Sequence, residues 1–187
     1  MSNQVRGELI FMARPSAAVI DLIAARLAVH GLDQAAGSAL SRPVNWHQSL
    51  SDKHGHGQRE AMLRAGARVR ASAFELVLNR IDGSSAGGSD PIHWTLRARG
   101  GKPQGLVNLL ATIRKSLALE GIRDDLGHTA HITLCYRAPN PLPETLFIDP
   151  VAWTIDTLEL VVAGGSPYGY TTLERWLLES PAQSALF

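Results

Sequence analysis

The chain has 187 residues, of which 45% are apolar and 19% are charged, a balance typical of a globular protein that can bury a core. The formal net charge of +1 excludes the broad basic surface of a protein that binds long duplex nucleic acid, and the single cysteine, Cys135, excludes an internal disulfide framework. Because the apolar stretches are shorter than the ~18–20 residues that cross a bilayer, and the first residues lack the apolar region of a secretory signal, we expect a cytoplasmic protein with no membrane partner.

Predicted strands and helices alternate along the chain. In residues 16–30, apolar side chains recur at helical spacing and Gly31 follows the last turn. A second apolar stripe of this kind begins near Pro103 and ends before Gly121, and a basic helix is predicted over 58–70. The predicted strands are residues 7–13, 45–51, 74–82, 92–99, 129–136, 154–163 and 170–178, and the predicted linkers are 35–42, 83–90 and 139–143.

An internal repeat divides the chain into two similar halves. The segment HQSL at 47–50 matches HITL at 131–134, and FELV at 74–77 matches LELV at 158–161, both at an offset of 84 residues. Each His segment follows a helix that ends at glycine, and each half ends near a strand with a tryptophan, Trp94 or Trp176. We therefore predict an α+β fold in which residues 1–187 form one domain of two pseudo-symmetric lobes, each an antiparallel sheet with outer helices, around a central active-site cleft.

The two His segments carry the residues with the clearest chemical potential. Strand alternation places His47 with Ser49 on one face, and His131 with Thr133 on the matching face of the second half, ~6.5–7 Å apart along each strand. The reverse faces are apolar, with Gln48 as the exception. Hydrolysis of a phosphodiester needs one base for the attacking water and one acid for the leaving oxygen. Two imidazoles that titrate near neutral pH can supply both without a metal or another cofactor.

These segments resemble the paired His-x-Thr/Ser-x signatures of the 2H phosphoesterase superfamily, and in particular its 2′-5′ RNA ligase / 2′,3′-cyclic phosphodiesterase branch. The resemblance extends over nearly the whole chain. It implies that His47 and His131 are the catalytic acid and base and that Ser49 and Thr133 bind the phosphate. By analogy, His131 activates water and His47 protonates the ribose 3′ oxygen, which leaves a 2′-phosphate. The sequence alone leaves this division of labour open.

The sequence also departs from that pattern. Members of this branch often have a basic residue soon after the second motif, where this chain has Cys135 and Tyr136, so that Arg137 becomes the candidate. Strand alternation would place Arg137 on the phosphate-facing side; the alternative is a solvated arginine at a strand end. Phe11 and Tyr170 are candidates for stacking on a base, with packing in the core as the alternative.

Other polar residues have weaker claims. His54 and His56 lie in the segment KHGHG, which suggests either a metal site or, more simply, a polar loop. His93 and Arg97 lie on the polar side of a predicted strand, where they line a substrate groove or face solvent. His128 is interpreted as a residue of the turn before the second motif. The arginines of helix 58–70 are interpreted as a solvated face.

Together these features predict an enzyme that hydrolyses 2′,3′-cyclic phosphates of RNA ends or nucleotides to 2′-phosphates, with the reverse 2′-5′ ligation open to the same site. The alternatives are a phosphodiesterase for ADP-ribose 1″,2″-cyclic phosphate, an RNA 3′-end processing enzyme, and a module that binds RNA or nucleotide ends without turnover. We expect a monomer with no obligate protein partner.

Overall fold

A computed structural model describes residues 7–83, 91–98, 100–125 and 127–180. The strands are β1 (Glu8–Ala13), β2 (Gln48–Ser49), β3 (Phe74–Asp82), β4 (Trp94–Ala98), β5 (His131–Cys135), β6 (Leu146–Ile155), β7 (Thr157–Gly164) and β8 (Gly169–Leu177). The helices are α1 (Ala17–Val29), α2 (Leu32–Ala36), α3 (Arg59–Arg68) and α4 (Gln104–Ala118), with 3₁₀ turns at Gly37–Ala39, Pro43–Asn45 and His56–Gln58. Within the described ranges, no helix is long and apolar enough to span a membrane.

The described strands form two four-stranded sheets with all neighbours antiparallel. The first sheet has the order β2-β1-β7-β8 and the second the order β5-β4-β3-β6. The two orders correspond strand for strand, with β1 equivalent to β4, β2 to β5, β7 to β3 and β8 to β6. The prediction of an α+β fold with two pseudo-symmetric antiparallel lobes is confirmed.

The lobes are not consecutive halves of the chain, because the two halves exchange strands. Strand β3 comes from the first half but pairs with β4 in the second sheet, and β7 comes from the second half but pairs with β1 in the first. The proposed equivalence of Trp94 and Trp176 is therefore wrong: Trp94 lies in β4, an inner strand, whereas Trp176 lies in β8, at a sheet edge.

A large apolar core joins the sheets and helices, and a smaller cluster of Ile10, Met12 and Val161 is separate from it. Helix α1 begins after Ser16, whose hydroxyl accepts a hydrogen bond from the backbone of Val19, and its last turn is followed by Gly31 with a φ of 64°. Helix α4 begins directly after Pro103 and buries the predicted stripe of Leu106, Leu109, Leu110, Ile113 and Leu117. Burial of these apolar faces holds the two sheets in a fixed relation, and this relation fixes where their edge strands β2 and β5 meet.

Several predicted boundaries differ from the structure. The strand predicted over 45–51 shrinks to β2, because Pro43 initiates a 3₁₀ turn just before it. The strand predicted over 154–163 is two strands separated by Asp156, where the chain leaves the second sheet and enters the first. The sequence did not predict β6, since Pro150 argues against a strand; β6 is an edge strand, where proline is tolerated. Residues 84–90 of the predicted hairpin loop and Arg99 lie outside the described residues.

Candidate active site

The two motif histidines occupy matching positions and make the same backbone contact. His47 immediately precedes β2, and its Nδ1 lies 2.7 Å from the carbonyl oxygen of Asn45, two residues earlier. His131 opens β5, and its Nδ1 lies 3.0 Å from the carbonyl oxygen of Thr129, also two residues earlier. A carbonyl can only accept a hydrogen bond, so the contact with Asn45 requires a proton on Nδ1 of His47. The contact with the Thr129 carbonyl likewise requires a proton on Nδ1 of His131, which also lies 3.0 Å from the Thr129 hydroxyl. Nε2 is therefore the nitrogen left to gain or lose a proton in each histidine.

Gln48 joins the two motif strands. Its side chain is fully buried, and its Nε2 donates to the carbonyl oxygens of Ser49 and Thr129, at 2.9 Å each. Its Oε1 accepts a 2.8 Å hydrogen bond from the backbone N–H of His131. The carbonyl oxygen of Thr129 also accepts a hydrogen bond from Nδ1 of His131. Gln48 thus fixes the strand segment that orients the second histidine relative to the first.

Burial and neighbouring positive charges shift both histidines in the same direction. The pKa of His47 is lowered, chiefly by burial and further by the charges of His131, Arg14 and Lys53, against the opposing bond to Asn45. Burial is also the main cause of the lowered pKa of His131, and the charge of Arg97 adds to it. The two imidazoles are close enough to interact electrostatically. An anionic substrate between them would favour their protonated forms.

Arg14 lies beside His47 at the end of β1 and is held by an acidic neighbour. Its guanidinium forms an ion pair with the buried carboxylate of Glu159 and a hydrogen bond with Thr172, whose hydroxyl donates to Glu159 at 3.0 Å. Arg14 and Glu159 also line a groove of about 740 Å³, but this groove contains neither histidine. Arg14 therefore acts on His47 mainly through its charge.

Arg97 has the equivalent place in the second lobe. It is the cross-strand partner of His131, and its Nε lies 3.4 Å from Oδ2 of Asp82. The hydroxyl of Thr145 donates to Oδ1 of Asp82 at 2.8 Å. Each histidine is thus accompanied by an arginine that pairs with a carboxylate, and each carboxylate accepts a hydrogen bond from a threonine. The fold repeats this charged arrangement even though no sequence motif marks it.

The predicted phosphate-binding hydroxyls lie next to the histidines in the sheets. Ser49 pairs with Met12 of β1, and Thr133 pairs with Thr95 of β4. Both side chains are partly exposed, and neither hydroxyl hydrogen-bonds to another described residue. Both are thus free to donate to a ligand oxygen.

Tyrosines surround the first histidine. Tyr170 packs edge-on against His47, with ring centroids 4.9 Å apart, and Tyr168 packs edge-on against Tyr170 at 5.6 Å. Burial raises the pKa of Tyr170 well above its ordinary value, with Tyr136 and Tyr168 as further causes. Tyr136 and Tyr168 are each about half exposed. The cluster therefore combines one partly buried ring against the catalytic candidate with two rings that a nucleobase can reach.

The structure corrects the assignment of Phe11 and leaves that of Arg137 untested. Phe11 is fully buried and packs edge-on against Trp176 at 6.0 Å, so its ring belongs to the core and cannot stack on a ligand. Strand β5 ends at Cys135, two residues before Arg137, so strand alternation no longer determines which way that exposed residue points. The residue 84 positions earlier, Lys53, lies near His47 and pairs with Glu8 at 2.7 Å.

Sequence reasoning thus missed Arg14, Gln48 and Lys53. Two signals were present in the sequence: a glutamine where the strand pattern requires an apolar residue, and a lysine at the repeat offset from Arg137. The place of Arg14 depends on which strand lies beside β2. No local pattern gives that information.

Two of the weaker candidates make contacts within the fold. His54 is buried, its backbone forms two 2.8 Å hydrogen bonds with Leu9, and burial lowers its pKa. On helix α3, Arg64 and Arg68 both bind the carboxylate of Glu120, just beyond α4. These arginines therefore link two helices at the surface.

A third group, on one flank of the site, consists of Asp52, Asp124 and His128. Nε2 of His128 lies 3.9 Å from Oδ1 of Asp52, and Oδ1 of Asp124 accepts a 3.1 Å hydrogen bond from the backbone of Asp52. Burial raises the pKa of Asp124 to about 6, and the Asp52 carboxylate adds to this shift. A cavity of about 420 Å³ lies beside the group and is lined by Ile10, Ser49, Ser51, Asp52, Lys53 and His128.

Comparison with known proteins supports the fold assignment. No protein-family model matches the sequence, and no curated protein matches it. Among solved structures, Escherichia coli LigT in its apo form is similar over 94% of this chain and 99% of its own, with a TM-score of 0.72 and 22% sequence identity. A crystal structure described only as a phosphoesterase covers the same shares at a TM-score of 0.69 and 22% identity. The protein TT0787 of Thermus thermophilus covers 92% of this chain and 98% of its own, at a TM-score of 0.69 and 19% identity.

At these identities the likeness shows the fold alone, and it is the two-lobed α+β fold that the sequence resemblance led us to expect. Escherichia coli LigT has also been solved in complex with phosphate, with 3′-AMP, with ATP and with NADP⁺. The chain therefore has a fold on which another protein binds phosphate and nucleotides.

Proposed function

We propose that the protein is a metal-independent phosphodiesterase of the 2H type, which hydrolyses 2′,3′-cyclic phosphates of RNA ends or nucleotides to 2′-phosphates. The observation that carries this proposal is the matched state of the two histidines. Both use Nδ1 to bind a backbone carbonyl two residues earlier, and both keep Nε2 for proton transfer. Two such groups, with the charge of His131 acting on His47 and each ring next to a free hydroxyl, suit acid–base attack on a phosphodiester.

In the proposed reaction, the hydroxyls of Ser49 and Thr133 donate to non-bridging phosphate oxygens. Neutral His131 takes a proton from water as the new oxygen–phosphorus bond forms. Protonated His47 gives its proton to the ribose 3′ oxygen as the bond from that oxygen to phosphorus breaks, which leaves a 2′-phosphate. The charges of Lys53 and Arg97, which lie near the two rings, favour the negatively charged phosphorus centre.

Charge and aromatic surface suggest that the substrate is an RNA end. The exposed rings of Tyr136 and Tyr168 adjoin the His47 side, where a terminal base can stack. On the His131 side, a cavity of about 120 Å³ includes the cations of Arg80, Arg97 and Lys102. In an oligonucleotide substrate, the negative charge of the next phosphate along the chain would lie in this cavity. The pyrophosphate of ADP-ribose 1″,2″-cyclic phosphate is the second candidate for the same positive charge.

Steady-state hydrolysis in the presence of a chelator tests the two-histidine mechanism. We expect His47→Asn and His131→Asn each to lower kcat/KM for a 2′,3′-cyclic substrate by about 10²–10⁴-fold. His30→Asn is the matched control, because His30 is exposed at the end of α1 and makes no contact with the site. Wild-type activity in either motif variant would refute the mechanism. Binding of nucleotide phosphates without turnover of any cyclic substrate would favour the binding-module alternative instead.

Substrate preference is a separate measurement. We expect a dinucleotide that ends in a 2′,3′-cyclic phosphate to be hydrolysed with a higher kcat/KM than the corresponding mononucleotide, and the ratio to fall in Lys102→Ala. Chromatographic separation of 2′- and 3′-phosphate products shows which ribose oxygen leaves. Incubation of cyclic-phosphate ends with 5′-hydroxyl RNA tests whether the same site runs in the direction of ligation. Equal rates for mono- and dinucleotides would contradict the assignment to RNA ends.

A further inference from the structure

Three potential metal-ligand atoms lie close together where the two lobes meet, one each from Asp52, Asp124 and His128. Asp52 follows β2 of the first sheet, and Asp124 and His128 lie in the loop that leads into β5 of the second. One side-chain atom from each residue lies within 4.8 Å of the other two. Asp124 and His128 are 72 and 76 positions from Asp52 along the chain, so only the tertiary fold makes this group.

Each of the three residues also has a buried side-chain atom without a hydrogen-bond partner among the described residues. These atoms are Oδ1 of Asp52, Oδ2 of Asp124 and Nε2 of His128, and the first and the last lie 3.9 Å apart. Asp124 is only 7% exposed. Its other oxygen is bonded to the backbone of Asp52, and this bond directs Oδ2 into the group. Buried polar atoms are nearly always satisfied, so three that converge on one point indicate a ligand.

The surroundings of the group contain other charged side chains. Arg114 is close enough to affect Asp124 and His128 electrostatically, yet Oδ2 of Asp124 receives no hydrogen bond from it. Lys102 and His131 also lie on the His128 side, and His54 lies on the Asp52 side. Arg114 therefore offsets part of the carboxylate charge but leaves all three donor atoms available.

We propose that Asp52, Asp124 and His128 bind one divalent transition-metal ion, with Zn²⁺ as the best match, and that this ion links the loop after β2 to the loop before β5. Carboxylate oxygens and an imidazole nitrogen are all zinc ligands, whereas Mg²⁺ prefers oxygen ligands alone. In a tetrahedral zinc site with bonds of about 2.1 Å, ligand atoms are about 3.4 Å apart. Nε2 of His128 and Oδ1 of Asp52, which lie 3.9 Å apart, are already close to that value. The adjacent cavity gives solvent access and room for a water as the fourth ligand.

This ion would have a structural role, separate from the proposed acid–base chemistry. It would hold together the segments that carry Ser49 and His131, much as Gln48 does from within the core. Metal binding and catalysis can therefore be measured independently, and failure of one does not imply failure of the other.

The first experiment titrates the full-length, tag-free protein with Zn²⁺ after chelator treatment and dialysis. We expect one Zn²⁺ per chain by calorimetry and weaker binding of Mg²⁺. At a Zn²⁺ concentration about 100-fold above Kd, we expect the Tm to rise by about 5–10 °C. Absence of Zn²⁺ binding and of a Tm shift in the wild-type protein would overturn the proposal, whatever its hydrolytic activity.

Variants then locate the ion. Asp124→Asn should weaken Zn²⁺ binding by at least about 10²-fold, whereas Asp125→Asn should bind like the wild type, since Asp125 is exposed and pairs with Arg123. His131→Asn distinguishes this site from an ion held between the catalytic candidates and should retain stoichiometric binding. Binding that survives Asp124→Asn or is lost in His131→Asn would place the ion elsewhere and refute the assignment.

Discussion

Replacement of Gln48 by methionine tests whether one buried amide determines the geometry between the two lobes. Methionine has a similar volume and fills the same space, so the main change is the loss of hydrogen bonds. The amide makes three bonds of 2.8–2.9 Å, and no other described side chain accepts from the backbone N–H of His131. The carbonyl of Thr129 keeps Nδ1 of His131 as a donor at 3.0 Å.

The size of the effect follows from which groups lose their partner. A buried donor left unpaired lowers stability by about 1–3 kcal/mol, and His131 N–H is the donor in question. For a chain of this length, 1 kcal/mol shifts the Tm by roughly 2–4 °C, so the expected fall is about 2–12 °C. Because the same amide positions the strand that carries His131, we also expect kcat/KM for a cyclic phosphate to fall by about 10–100-fold.

The assay combines thermal unfolding with hydrolysis measured well below the Tm. Gln104→Met is the matched control. Gln104 is exposed on α4 and, within the described residues, its side chain hydrogen-bonds only to Asn108, so the Tm of this variant should change little. Gln48→Glu gives a second signature. Its protonated form can still bridge the strands, whereas burial and the facing carbonyls disfavour its charged form. The pKa of this glutamic acid is therefore raised in the folded state, and the variant should lose stability as pH rises.

A Gln48→Met protein with the Tm and kcat/KM of the wild type would refute the reasoning. It would show that core packing alone fixes the relation between β2 and β5. A fall in Tm with unchanged kcat/KM would mean that Gln48 stabilises the fold without positioning His131.

Two other predictions follow from burial and from close packing. Burial lowers the pKa values of His47 and His131 from 6.5, so the histidine that acts as the acid loses its proton at a lower pH than a free imidazole does. The alkaline limb of the pH profile of kcat/KM should therefore lie below pH 6.5. A limb above that value would contradict the desolvated environment of the two histidines. A Cβ on Gly66 would lie 2.3–2.7 Å from indole atoms of Trp176, so Gly66→Ala should lower stability by about 1–3 kcal/mol, measured by urea unfolding, whereas Gly57→Ala, which meets no atom within 4 Å, should not.

Much of the fold was predictable because its signals are local. The helical stripes, the cap at Ser16 and the glycine at Gly31 depend on neighbours within one or two turns, and the structure has α1 within a residue of the predicted bounds. Strand β3 matches its prediction residue for residue. Strand β6 was not predictable in the same way, because Pro150 is compatible with a strand only at a sheet edge, and position in a sheet is not encoded locally.

The faces of single strands were only partly predictable. Side-chain alternation along β1 places Phe11 on the opposite face of the strand from Ile10 and Met12. It does not predict which of the two faces packs against the main core. The structure buries Phe11 and leaves the opposite face, with Ile10 and Met12, beneath Tyr170. Tyr170 is thus the aromatic candidate that remains at the site.

The sequence by itself determined the repeated His-x-hydroxyl unit and the duplicated order of elements, because both are written in short segments at one constant offset. Only the tertiary structure decided what surrounds those histidines. Exchange of β3 and β7 between the lobes sets Arg97 beside Asp82 and Arg14 beside Glu159. Contacts of this kind join residues that are far apart in the chain, so they depend on which strands pair with each other. Strand pairing is decided in turn by burial of the whole apolar core.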